Sequence, residues 1–308
     1  MDGGDKAALA QRYLDYLRTQ RKLSPHTTSN YGRDLAELAA LTEGADWQSL
    51  VHADLRRAAA RLHSRELNPR SIARKLSAWR GFFGWLAHQV AMPANPAEGV
   101  RAPRKAKTLP KALSVDDAVH LVGTPSHPHA NPEPADLCNR AMFELMYSSG
   151  LRVSELAGMD AHYSKDCAGW LERDNGEVVV TGKGGKMRRV PVGRHALDAL
   201  AAWLQVRGVP SDGSDALFVS ARGTRITPRV VQQRLKAHAL RAGTTVNVHP
   251  HVLRHSFASH VLQSSGDLRA VQEMLGHSSI ASTQVYTALD FQHLSQVYDK
   301  AHPRAKSK

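Results

Sequence analysis

Cysteine is nearly absent: Cys138 and Cys167 are the only two in 308 residues. Two are too few for a disulfide framework, and such scarcity is expected of a reducing compartment. No apolar run approaches the roughly 20 residues that span a bilayer, so no membrane insertion is expected. The start, Met1-Asp-Gly-Gly-Asp5, lacks the basic opening and apolar stretch of a signal peptide. A cytoplasmic protein is therefore the expectation. No H-E-x-x-H motif and no carboxylate cluster is visible, which weighs against a zinc enzyme. The glycine-rich Gly182-Lys-Gly-Gly-Lys186 lacks the spacing of a phosphate-binding P-loop, so an ATPase reading is weak. No cofactor and no internal repeat is expected.

Acidic residues are also in deficit. Lys and Arg number 41 against 28 Asp and Glu, a net charge of +13 with a pI near 10.0. A chain of this kind is drawn to polyanions, because neutralising phosphates releases condensed counterions. A nucleic acid is the expected partner, although charge identifies no reaction.

The length suits two domains, each able to bury its own core. Residues 1–100 read as all helical. Leu9, Tyr13, Tyr16 and Leu17 mark one apolar face, and Ser24-Pro25 and Asn68-Pro69 look like helix caps followed by proline in the first turn. A shorter helix is expected around Asp54–His63. The helix opened by Asn68 carries Ile72, Leu76, Trp79, Phe83 and Leu86 on one side, with Arg70, Arg74, Lys75 and Arg80 in the same segment. Those cations fit a solvated face as well as a helix laid in a DNA groove. Residues 101–112 hold two prolines and five basic side chains without periodicity and read as a linker, either a clamp element or a tether. Residues 113–308 then form a mainly helical domain. Its small antiparallel sheet is expected from Glu177–Val180 and Arg189–Val192, joined by Gly182–Lys186. The fold class is thus mainly α, an all-helical N-terminal domain plus an α+β domain.

The second domain also carries the chemistry. Arg152, Lys183, His251, Arg254, His277 and Tyr286 occur in that order. Cations and donors around one oxygen nucleophile suit phosphoryl transfer on DNA without a metal, since charge grows on the phosphate oxygens in the transition state. His251 and Arg254 are spaced i, i+3, on one helical face, and Arg254 can grip two phosphate oxygens in a fork. His251 and His255 also have the i, i+4 spacing of a metal pair, without an acidic companion. Gly276 fits a helix C-cap, after which His277 turns away. Tyr286, taken alone, reads more readily as core than as nucleophile.

The joint order, with its flanking blocks, resembles the tyrosine recombinases. Gly150-Leu-Arg-Val-Ser-Glu-Leu156, Thr181-Gly-Lys-Gly-Gly-Lys-Met-Arg-Arg-Val-Pro191, His249-Pro-His-Val-Leu-Arg-His-Ser-Phe-Ala-Ser-His260, Leu275-Gly-His-Ser-Ser279 and Thr283-Gln-Val-Tyr-Thr287 are similar to the family's catalytic blocks. The ending, Leu289 to Arg304, is similar to one branch of the Xer group. The resemblance implies a core-binding N-terminal domain, a catalytic second domain, and a 3′-phosphotyrosyl bond to Tyr286. It also implies that Arg152, Arg254 and His277 hold the phosphate, that Lys183 protonates the leaving 5′-oxygen, and that His251 is the acid/base for the phenol. Partners follow from the same resemblance: double-stranded DNA as a recombination site and Holliday junction, a second Xer recombinase in a cyclic heterotetramer, and a DNA-pumping activator of cell division. The apolar residues Phe291, Leu294, Val297 and Tyr298 are either core of this chain or a helix docked into a neighbouring protomer. The stretch 161–176 departs from the family as an unusually long connection without a derivable function. A phage or transposon integrase shares the same catalytic set. A type IB topoisomerase would use similar chemistry to relax DNA alone, and a non-catalytic DNA-binding protein would tolerate loss of Tyr286.

Overall fold

The computed structural model describes residues 3–103, 112–125, 132–182, 185–244, 246–276 and 288–305, with side chains omitted at 3–5 and 288–293. The chain divides into two compact units, Met1–Thr108 and Leu109–Lys308. The expected linker, 101–112, lies mostly outside the described residues.

The first unit contains α1 (Gly3–Thr19), α2 (Pro25–Leu41), a single 3-10 turn (Trp47–Ser49), α3 (His52–Ser64) and α4 (Pro69–Leu86). Ser24 caps α2 by accepting the N–H of Thr27, and Asn68 caps α4 by accepting that of Arg70. Both helices then open with proline, whose missing N–H would be unpaired there in any case. Trp47, Trp79, Phe82 and Phe83 lie fully inside this unit's core, where Trp47, Phe82 and Phe83 meet edge to face. Only part of the basic stretch on α4 is free for DNA. Lys75 is buried and paired with Asp34 and Glu37, and Arg74 also binds Asp34. Arg70 remains exposed.

The second unit runs α5 (Val115–Gly123), α6 (Pro134–Ser149), α7 (Val153–Ala157), β1 (Gly169–Glu172), β2 (Glu177–Thr181), β3 (Met187–Pro191), α8 (Arg194–Val206), α9 (Pro228–Arg241), α10 (Pro250–Ser265), α11 (Leu268–Leu275) and α12 (Ala288–Ala301). Helix α6 is its centre, buried along nearly its whole length. The sheet is antiparallel in the order β1-β2-β3, with Thr181 paired to Met187 at the turn.

Two expectations gain detail. The connection 161–176 contains β1, which pairs Gly169 with Val180 and Glu172 with Glu177. Gly169 is required there, because a Cβ would lie 2.6 Å from the Val179 carbonyl oxygen. The strand is not visible in the sequence because four residues with adjacent Trp170 and Leu171 show no alternation. The second concerns α12, for which the sequence left core packing and docking both open. Leu294 and Tyr298 are buried in this chain's own core, which accords with the first of these alternatives. The side chain of Phe291 lies outside the described residues. Among the described residues, no helix is long and apolar enough to cross a membrane.

Candidate active site

Helix α6 ends at Gly150 with φ of 56°, a left-handed C-cap. A Cβ there would sit 2.4 Å from the Phe257 ring, so both conformation and packing demand glycine. The turn delivers Arg152 to the N-cap of α7, where its backbone N–H donates to Glu155 Oε2 at 2.8 Å. Glu155 thus caps its own helix from the third position.

The same carboxylate gathers two guanidinium groups. Arg152 Nη1 donates to Oε1 at 2.7 Å. Arg188, from β3, makes a fork, with Nη1 to Oε1 at 2.9 Å and Nη2 to Oε2 at 2.8 Å. Burial by itself would raise the Glu155 pKa, but Arg188 first and Arg152 second hold it below the ordinary value. The carboxylate is therefore ionised at neutral pH.

Arg254, in the opening turns of α10, completes the group. It is 9% exposed and donates from Nη1 to the Gly150 carbonyl and from Nη2 to the Leu275 carbonyl, each at 2.6 Å. Burial, then the charge of Arg152, lowers its pKa to about 10, still cationic at neutral pH. The end of α11 receives all three arginines. Arg188 Nε reaches the Met274 carbonyl at 2.8 Å, Arg254 the Leu275 carbonyl, and Arg152 Nη2 the Gly276 carbonyl at 3.5 Å. These carbonyls have no helical partner, and they form the negative end of the helix dipole. Helix end and carboxylate together let three cations assemble.

His251 lies one turn before Arg254 on α10 but is exposed, whereas Arg254 is buried. Its ring stands 6.0 Å from that of His249, whose pKa is lowered by burial and then by His251. Gly276 adopts φ of 64°, as expected of the C-cap before His277. Lys183, His277 and Tyr286 lie outside the described residues; of the three described members, the structure brings Arg152 and Arg254 together at the end of α11 and leaves His251 exposed. Sequence reasoning missed Glu155 and Arg188. A signal for the first was the i, i+3 spacing from Arg152. A signal for the second was the burial phase of β3, in which Arg188 shares the inward side with Val190 while Arg189 faces out.

A buried cluster with three cations, one carboxylate and a solvent-reaching member, Arg152, is suited to an anionic oxygen group. Comparison with known proteins narrows that chemistry. The family model described as Phage integrase family matches residues 111–293, and the Phage integrase, N-terminal SAM-like domain matches residues 10–90. Tyrosine recombinase XerC 1 of Ralstonia nicotianae is 54% identical over 312 residues, covering 96% of this chain and 93% of the relative. Tyrosine recombinase XerC of Salmonella typhi is 47% identical over 298 residues, covering 96% and 95%. Among solved structures, a lambda integrase dimer bound to a COC′ core site has a TM-score of 0.69 at 17% identity, covering 91% of this chain and 98% of that one. XerH site-specific recombinase bound to a palindromic difH substrate has a TM-score of 0.64 at 19% identity, covering 95% and 84%. At those identities the likeness is one of fold. The chain belongs to the phage integrase family, as a tyrosine recombinase, an enzyme of site-specific DNA strand exchange.

Proposed function

We propose that this recombinase resolves chromosome dimers at a dif-like site in the cytoplasm, through a 3′-phosphotyrosyl bond to Tyr286. The observation that carries the chemistry is the meeting of Arg152 and Arg254, from the starts of two different helices, at the carbonyl end of α11, where Glu155 also holds Arg152. The biological role rests on relatives that bear the name Tyrosine recombinase XerC and are 46–54% identical over at least 96% of this chain.

In this reading the Tyr286 phenol oxygen forms a bond to the scissile phosphorus as the bond to the 5′-oxygen breaks. A phenol has a pKa near 10, and His251 takes its proton. The electron pair of the breaking bond goes to the 5′-oxygen, which receives a proton from Lys183. Arg152, Arg254 and His277 offset the charge on the nonbridging oxygens. The covalent bond conserves the energy of the phosphodiester, so a 5′-hydroxyl from a second duplex rejoins the strand without ATP. The same steps on the second strand pair resolve a Holliday junction. A second Xer recombinase would complete the cyclic tetramer, with a DNA translocase of cell division as activator.

The test is incubation with a nicked dif-like duplex that traps the cleaved strand, followed by mapping of the modified residue. A phosphotyrosyl peptide containing Tyr286 is expected, and none with Tyr286→Phe, which should fold and bind DNA. A covalent adduct formed by the phenylalanine variant would overturn the assignment.

A further inference from the structure

Arg188 has no part in the chemical steps of cleavage, yet its side chain ties three separate pieces of the site together. It is 4% exposed. Its Nε donates to the Met274 carbonyl, and its two terminal nitrogens fork onto Glu155. One rigid planar group therefore links β3, α7 and the end of α11. Its backbone pairs with Val180 on β2, so it stands at the foot of the turn that carries Lys183. The foot of that turn packs directly on the arginines. A Cβ on Gly182 would lie 3.5 Å from Arg188 Nη1 and 3.9 Å from Arg152 Nη1. On the other side, a Cβ on Gly276 would lie 3.1 to 3.3 Å from the Arg188 side chain. The two ends of the turn are tied by a bond from the Gly182 N–H to the Lys186 carbonyl at 2.7 Å, so displacement at Arg188 reaches both of them.

We propose that Arg188 is a positioning residue for strand cleavage: it fixes the foot of the β2–β3 turn against the arginine clamp, and so sets the place from which Lys183 protonates the leaving 5′-oxygen. The inference rests on the role given to Lys183 under the proposed function. Simple neutralisation of Glu155 does not account for the geometry. Arg152 already pairs with that carboxylate, and a point charge such as lysine would suffice. What only arginine supplies is a fork with a third donor at a fixed angle.

A substrate with sulfur in place of the bridging 5′-oxygen separates positioning of the acid from every other role. A thiol has a pKa of about 8.5, so a thiolate leaves without a proton, whereas an alkoxide needs one. Single-turnover cleavage by Arg188→Met and Arg188→Lys is measured on both substrates, together with DNA affinity and melting temperature. On the oxygen substrate both variants are expected to be slowed about 100-fold, the scale of an ångström-sized misplacement, with DNA affinity unchanged. On the sulfur substrate both should approach the unmodified enzyme. Equal slowing on the two substrates, unchanged cleavage on both, or failure of both variants to fold would each overturn the proposal. The role of Lys183 is tested separately by Lys183→Ala on the same two substrates. The Tyr286 reading stands or falls on the adduct formed by the unmodified enzyme.

Discussion

Arg254 has little freedom: two backbone carbonyls hold it and the protein interior surrounds it. Arg254→Ala is expected to raise the cleavage barrier by about 2.7–4 kcal/mol, the typical effect of losing one preorganised donor. It should also cost stability, since buried carbonyls left unpaired cost about 1–3 kcal/mol. Single-turnover rates and melting curves on the same protein separate the two losses; near-normal cleavage would refute the role in the barrier. His302 makes a pH prediction. Burial lowers its pKa to about 3. The neutral ring satisfies both nitrogens, with Nε2 donating to the Tyr147 carbonyl and Nδ1 accepting the Arg304 N–H. The unfolded chain takes up this proton near the ordinary histidine value of about 6.5, so between there and about 3 the unfolded state binds more protons. Its contribution to stability is present at neutral pH and lost as pH falls through that window. His302→Phe should flatten the melting temperature between pH 7 and 4. The buried, downward-shifted His238 and His260 will leave a residual slope of the same sign. Arg152 and Arg254 were legible in the sequence because their residue type and order carry the chemistry. The partners that hold them were not. Arg188 is 33 residues from Glu155, and the α11 carbonyls belong to the backbone, which every sequence possesses alike.

The C-terminal segment is the element for which sequence period said least about destination. Its apolar stripe was clear, but a stripe shows that a face is buried, not which core buries it. The structure packs its helix against α10 and ties the segment to α6 and the start of α8. Tyr298 OH meets Ser148 Oγ at 2.6 Å, Arg304 pairs with the fully buried Glu144, and the Arg194 N–H donates to the Ala305 carbonyl. Gly193 is the contact point of this seat. A Cβ there would lie 2.3 Å from the Arg304 carbonyl oxygen and 2.7 Å from Tyr298 OH. Gly193→Ala should therefore loosen the segment, at about 1–3 kcal/mol for overpacking. Hydrogen exchange should rise first in α12; protection equal to that of the unmodified chain would show that the seat gives way without loss. The caps of α2 and α4 were readable because Ser24 and Asn68 act on a backbone N–H two or three residues away. Strand β1 was not, because its identity comes from its pairing with β2.

Across the whole molecule, the surplus of 41 basic over 28 acidic side chains should dominate DNA affinity. If six or more phosphates are contacted, binding should weaken by about 10³-fold or more between 50 and 200 mM salt. A titration of affinity against salt checks this, and a flat dependence would refute it. The three arginines at the end of α11 have a different consequence. They address backbone carbonyls at Met274, Leu275 and Gly276, never an α11 side chain. Outward positions such as Leu268, 54% exposed, are free to drift in composition, but the helix cannot change length. One residue inserted within Leu268–Leu275 would swing every later carbonyl through about 100° and strip all three guanidinium groups of their anchors at once.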